Sequence, residues 1–368
     1  MKLYACGSNS YGALGLGDDA SYLTFTEVPL SEGVVKISGG TGWYIILKSD
    51  GTLWGCGYND KGQLGIGSTS FQSALVQIGV DTDWATVACG EEHTLAIKTN
   101  GTLWGWGENG YHQLGTGINT IDRNSPIQIG SDTNWLKVAA GYYSSMGIKT
   151  DGTLWGWGRD LAGELGLGPG TTLWSTPTQI GSDTTWIDVD LYDFSMCLKS
   201  DGTLWASGDN TYGQLGIGNT TDISIHQQVL SGVSSVSCGD TYAIAVKQDK
   251  TMWGCGQNTY GVLIGYDIGP TVFTRLGTDS DWESVSCGQY YMHHVLGVKR
   301  SGEMYSWGKG SWGKLGLGSY TDKYSPTKIG ESNVWYVPYA NPTSSFALVG
   351  ASRVFWTNFH SQSEAISV

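Results

Sequence analysis

Apolar and polar positions along this chain fall into short runs of four to six residues, ordered the same way again and again, with none of the 3.6-residue spacing of a helix. In one copy, the stretch from Leu75 to Ile78 is a short apolar run. Trp84 to Cys89 is a second, ending at Gly90. Thr94 to Lys98 and Leu103 to Trp106 form a pair joined by Asn100-Gly101. Asn-Gly or Asp-Gly between two such runs predicts a hairpin, because the tightest hairpin turn needs positive φ at both central residues. The turn returns as Asp50-Gly51, Asp151-Gly152 and Asp201-Gly202.

The period is close to 50 residues. A Thr-Leu-Trp-Gly-x-Gly motif places its aromatic at Tyr4, Trp54, Trp104, Trp155, Trp205, Trp253, Tyr305 and Phe355. A Leu-Gly-x-Gly motif follows at Leu14, Leu64, Leu114, Leu165, Leu215 and Leu315, and is altered in the sixth copy to Val262-Leu263-Ile264-Gly265. Four short strands per repeat, too small a sheet to bury its own faces, must stack radially. The expected fold is all-β: a seven-bladed β-propeller of four-stranded blades, in one domain spanning residues 1–368. The hairpin's second strand occurs once more than the others. Either the N-terminal strand at Leu3 to Cys6 or the C-terminal one at Arg353 to Phe359 is therefore expected to close the last blade, leaving the other surplus and open to assembly.

Composition agrees with a turn-rich β protein: Gly 56, Trp 17 and Tyr 20 stand beside only 14% charged residues. The formal charge of −13 disfavours nucleic acid and anionic membrane surfaces as partners. No apolar run is long enough to insert in a membrane. Met1-Lys2-Leu3-Tyr4 runs straight into the first copy, so no signal peptide is expected and the chain reads as cytoplasmic or virion-associated.

The segment from Val87 to Gly117, with His93-Thr94-Leu95-Ala96-Ile97-Lys98, Asn100-Gly101-Thr102-Leu103-Trp104-Gly105-Trp106-Gly107 and Gln113-Leu114-Gly115-x-Gly117, resembles the repeat of the regulator of chromosome condensation family. The resemblance covers nearly the whole chain and implies a seven-bladed propeller. It implies no single activity, since such relatives include exchange factors for small GTPases, a plant UV-B photoreceptor, inhibitors of β-lactamase and many bacterial and phage proteins. The photoreceptor's Gly-Trp-Arg-His-Thr motif is absent, and no basic tail or long insertion suited to a GTPase is visible.

Candidate chemistry mostly dissolves into the repeat. Cys6, Cys56 and Cys255 share one repeat position with Trp106, Trp157, Ser207 and Trp307. Cys89, Cys238 and Cys287 share another with Ala140. Such interchange marks core slots for thiols that behave as small hydrophobes. His93 falls where other copies carry Trp43, Ser144, Phe194, Tyr242 and His294. His293-His294 is the best metal pair, but neighbours on a strand face opposite ways. Asp-rich loops at Asp81-Thr82-Asp83, Asp132-Thr133-Asn134, Asp183-Thr184-Thr185 and Asp279-Ser280-Asp281 read as turns leading into strands in preference to calcium loops. Neither a catalytic constellation, a metal site nor a cofactor is expected.

Binding residues are expected in the variable loop after the Val-x-x-Gly run, which should ring one mouth of the central channel. The candidates there are Trp43, Tyr142, Tyr143, Tyr192, Tyr290 and Tyr291. The irregular sixth copy, with Asp249-Lys250 in place of Asp-Gly, is a second candidate. The expected function is a non-enzymatic interaction or scaffold propeller, on composition a component of a phage virion. The alternative is a regulatory propeller, an exchange factor or inhibitor of a partner protein. Partners would be proteins, virion proteins among them, or a surface glycan.

Overall fold

The computed structural model describes residues 1–265, 268–290, 293–330 and 335–350. Among them, 28 strands form seven four-stranded antiparallel sheets arranged as a ring. Blade 1 spans 34–77, blade 2 84–128, blade 3 135–180, blade 4 186–230, blade 5 233–275 and blade 6 282–328. The first strands, from Val34–Ser38 in blade 1 to Trp335–Ala340 in blade 7, lie successively against one another and face the central channel. The fourth strand sits at the rim, where it is half exposed. The blade is thus out of phase with the sequence repeat: Gln72–Gln77, which precedes the Trp84 run, pairs back onto Leu53–Gly57 of blade 1.

Blade 7 settles the closure. Its inner strands are Trp335–Ala340 and Ser344–Val349, and its outer pair comes from the other end of the chain, Lys2–Gly7 and Tyr22–Glu27. Leu3 pairs with Leu348 and Cys6 with Ser345. The N-terminal strand therefore completes the ring, and the alternative closing strand around Phe355 lies outside the described residues.

The hairpin turns differ in detail from the two-residue form expected. Gly101 has φ +77°, whereas Asn100 is not among the residues with positive φ. Gly101 N–H donates to Lys98 O at 2.8 Å and Lys98 N–H to Thr102 O at 3.1 Å, a three-residue loop with a glycine bulge. A Cβ at Gly101 would stand 2.1 Å from Thr133 O, so only glycine fits. The following Thr explains the rest of the motif. Asn100 Oδ1 accepts from Thr102 Oγ1 at 2.7 Å, and Trp104 Nε1 donates to Thr102 Oγ1 at 2.9 Å. The same relay recurs at Asp50-Thr52-Trp54, Asp151-Thr153-Trp155, Asp201-Thr203-Trp205 and Asp249-Thr251-Trp253.

The Asp-rich loops have a partner that the sequence did not announce. Lys98 Nζ lies 2.7 Å from Asp81 and 3.0 Å from Asp83, over the rings of Trp84 and Trp104. Lys149 with Asp132, Lys199 with Asp183, and Lys299 with Asp279 and Asp281 repeat the arrangement. Each carboxylate meets a lysine held by cation–π contact, which accounts for these loops without calcium.

Between blades, the wide aromatics carry the packing. Trp106, Trp157 and Trp307 are fully buried, and each indole N–H donates to a backbone carbonyl of the preceding blade, at Gln63, Gln113 and Val262. Cys255 Sγ makes the same donation to Gln214 O at 3.2 Å. Shared geometry is why Cys and Trp exchange at this position. The Leu-Gly-x-Gly glycine makes room for the ring: a Cβ on Gly115 (φ +70°) would come within 2.9 Å of Trp157.

Candidate functional site

Two sets of loops emerge together at one end of the ring. One links the first and second strands of a blade; the other follows the third strand. Backbone hydrogen bonds join them, Tyr58 N–H to Gly42 O, Glu108 N–H to Glu92 O and Arg159 N–H to Tyr143 O, so their side chains share a face.

On this face a run of rings crosses from blade 2 over the channel mouth. Tyr111 lies 4.3 Å from Tyr143, Tyr143 is 4.2 Å from Tyr142, and Tyr142 meets Tyr192 at 5.7 Å and Tyr290 at 6.1 Å, measured between ring centroids. Tyr142 belongs to blade 3 and Tyr290 to blade 6, so their contact spans the channel. Tyr290 reaches it from a backbone with φ +59°.

Of the six aromatics expected here, Tyr142, Tyr143 and Tyr290 are partly exposed and come together. Trp43 does not join them. It opens a strand, is fully buried between blades 1 and 2, and donates its indole N–H to Glu91 O at 2.9 Å. A bulky ring at a strand's first residue packs against the next blade, which removes it from the binding surface. Tyr192 is 4% exposed, because the blade 4 loop is one residue shorter and closes Tyr192 N–H onto Phe194 O. It supports Tyr142 from beneath. Tyr291 lies outside the described residues.

Sequence reasoning missed the cation that organises the cluster. Arg159 stands over Tyr143 at 5.0 Å and Tyr142 at 5.7 Å, and its guanidinium contacts Asp193 and Glu164. Glu164 occupies the slot of Gln63, Gln113 and Gln214, and that Gln-to-Glu change was the available signal. It also missed Lys314, fully buried in the same slot of blade 6, which donates to Pro342 O at 3.3 Å.

The surroundings are acidic. Burial, with the neighbouring charge of Glu92, pushes the Glu91 and Glu108 carboxyls up to about 7. Burial and Asp60 raise Glu92 as well, and burial raises Asp193 against the pull of Arg159. Such carboxyls repel one another and gain from an incoming positive charge.

The histidines lie elsewhere in role. His93 is fully buried, its Nε2 3.0 Å from Ser145 Oγ, and burial lowers it to about 3. His294 pairs with Ser345 Oγ at 2.9 Å, while His293 stacks on Tyr242. All seven cysteines are buried and unpaired. Among the described residues, no group of three or more His, Cys, Asp or Glu is placed to hold a metal, and no helix is long and apolar enough to cross a membrane.

Comparison with known proteins places this geometry. A family model for the RCC1-like domain matches residues 2–349. The solved structure of human WBSCR16 superposes with a TM-score of 0.84 at 21% identity, covering 95% of this chain and 98% of that one. Prp20p from Saccharomyces cerevisiae, a structure described together with its binding to Gsp1p and histones, gives 0.84 at 19% identity over 94% and 90%. Among curated sequences, the serine/threonine-protein kinase Nek9 of Xenopus laevis is 32% identical over 111 residues, and that of Mus musculus 34% over 112. Each match takes in 28% of this chain and only 11% of the kinase.

Proposed function

The chain belongs to the RCC1-like domain family, and from that membership we propose a non-enzymatic regulatory propeller that docks a protein partner on its loop face. The observation that carries this reading is the run of rings Tyr111, Tyr143, Tyr142 and Tyr290 lying beside Glu91, Glu92 and Glu108. Tyrosines give large contact area at low entropic cost, and carboxyls with raised pKa favour a cationic partner surface. The charge of −13 extends that preference over the molecule.

Prp20p is described with Gsp1p and histones as binding partners, and the family resemblance includes exchange factors for small GTPases. Regulation of such a partner is therefore the reading these relatives support. The phage-virion role expected from composition has no support among them and gives way to this alternative. Nothing of the kinase's catalysis is carried over, since the match takes in so little of it.

The test is a binding and nucleotide-release assay with the small GTPases and basic proteins of the source organism. A partner that binds, and whose nucleotide release accelerates if it is a GTPase, supports the reading; binding to none of them sinks it. Tyr143→Ala is expected to weaken the complex by about 30-fold, the loss typical of a central hot spot, with an unchanged melting temperature. The complex should also tighten from pH 6 to pH 8. Glu91 and Glu108 titrate near 7, are largely neutral at pH 6 and charged at pH 8, and attract cations only when charged. Affinity independent of pH across that window would remove these carboxyls from the interface.

A further inference from the structure

A second feature of the loop face lies where the ring closes. A cleft of about 260 Å³ opens between blades 6, 7 and 1, walled by Tyr11, Tyr58 and Trp312 and bordered by the hydroxyls of Ser8, Ser10 and Thr41. It exists because side chains are small where the repeat elsewhere is large. Ser8 occupies the position of Tyr58, Glu108 and Arg159, and Thr41-Gly42 that of Glu91-Glu92 and Tyr142-Tyr143. The walls are built in. Tyr11 and Trp312 sit at φ +61° in tight loops that pack on the following blade, and Tyr11 meets Tyr58 at 5.0 Å.

These walls are open to a ligand. Trp312 is 40% and Tyr11 52% exposed, a large apolar exposure for loops this well ordered by contacts. Thr41 Oγ1 is buried at the border, beside the Glu91 carboxyl. Asp60 is the main influence holding the Tyr58 phenol above its ordinary pKa, and Glu92 adds to it electrostatically. The lining itself carries no charged side chain. Tyr58, with Asp60 and Glu92 near it, and Tyr11 against it offer π faces that attract positive charge, and Trp312 already holds one cation of the chain, Lys314 Nζ, 5.8 Å from its ring centre. At about 260 Å³ the cleft has room for one side chain.

We propose that this cleft receives a single lysine or arginine side chain of the docked partner. The assignment rests on the loop-face reading above and names an anchor for it, continuous with the acidic rim through Glu92. Hydroxyls at the border accept the N–H groups while the alkyl stem lies along the rings.

The experiment is calorimetric titration of the full chain with a short glycine–serine peptide carrying one lysine. The same peptide with acetyl-lysine and a neutral monosaccharide are the comparison probes. The lysine peptide is expected to bind at least about tenfold more tightly than the acetylated one. Trp312→Ala should weaken it by about tenfold, and Ser10→Arg, which places a built-in cation at the exposed border, should abolish it. Both variants should melt within about 2 °C of the parent, because both positions are at the surface. Equal binding of the two peptides, preference for the sugar, or lysine binding indifferent to both substitutions would overturn the assignment. Partner binding separates the two readings. If the partner docks normally on both cleft variants but not on Tyr143→Ala, the cleft falls and the loop-face reading stands. If the lysine peptide binds as expected but no partner docks, the loop-face reading falls alone.

Discussion

Deleting residues 1–7 is expected to open the ring and abolish the soluble, cooperatively folding monomer. The strand Lys2–Gly7 is a central one, hydrogen-bonded on both sides, to Ser344–Val349 and to Tyr22–Glu27. Leu3, Ala5 and Cys6 are fully buried in it. Its removal strips the face of Phe346 and Leu348, leaves two unpaired edges and detaches the rim strand of blade 7. Size-exclusion chromatography should show aggregates, and circular dichroism a broad, low melt. A monomer melting within a few degrees of the parent would mean that another segment closes the ring, and the eighth sequence copy around Phe355 is the one to examine. Ala5→Pro is the finer version. It removes a donor from a strand paired on both sides and is expected to cost about 3 kcal/mol or more. Within the strands of the described residues, proline stands only at sheet edges, on the rim at Pro126, Pro177 and Pro326 and on the channel side at Pro338.

Trp157→Ala is the second large effect. The ring is wholly buried between blades 2 and 3, lies 5.8 Å from Trp135, and spends its N–H on Gln113 O at 2.9 Å. Truncation leaves a cavity walled by Leu95, Leu103, Ile129 and Trp135, together with a carbonyl deprived of its donor. The expected cost is about 3–5 kcal/mol, read as a fall in melting temperature of roughly 5–10 °C. Trp157→Phe should lose only part of this, since most apolar contact stays and one hydrogen bond goes. A loss under about 1 kcal/mol for Trp157→Ala would show that the blades slide together and refill the gap.

Much of the architecture was legible because a repeat reads the same local physics several times over. Glycine was required at Gly101 by a positive φ and a neighbouring carbonyl, and Trp104 recurs because Thr102 ties its indole to the turn. Repeat position read cysteine and histidine as packing residues, and Cys255 and His93 are buried with hydrogen-bond partners in the neighbouring blade. Less of the site was legible. Trp43 and Tyr143 both looked like loop aromatics, yet one begins a strand and packs between blades while the other remains on the surface. One residue of loop length separates an exposed Tyr142 from a covered Tyr192. Pairings such as Lys98 with Asp81, or Arg159 with Asp193, join residues whose spacing follows no short-range rule.

The sequence by itself therefore determined the strand content, the number of blades and the packing role of most Trp, Cys and His, because turn chemistry and side-chain alternation are local and here repeated. Only the tertiary structure decided the rest. It showed that the first strand closes the ring, that tyrosines of blades 3 and 6 meet across the channel mouth, and that Tyr11, Tyr58 and Trp312 enclose a cleft. Each of these joins residues from different blades, some at opposite ends of the chain. Their meeting is fixed by the closure of the ring, which no single repeat encodes.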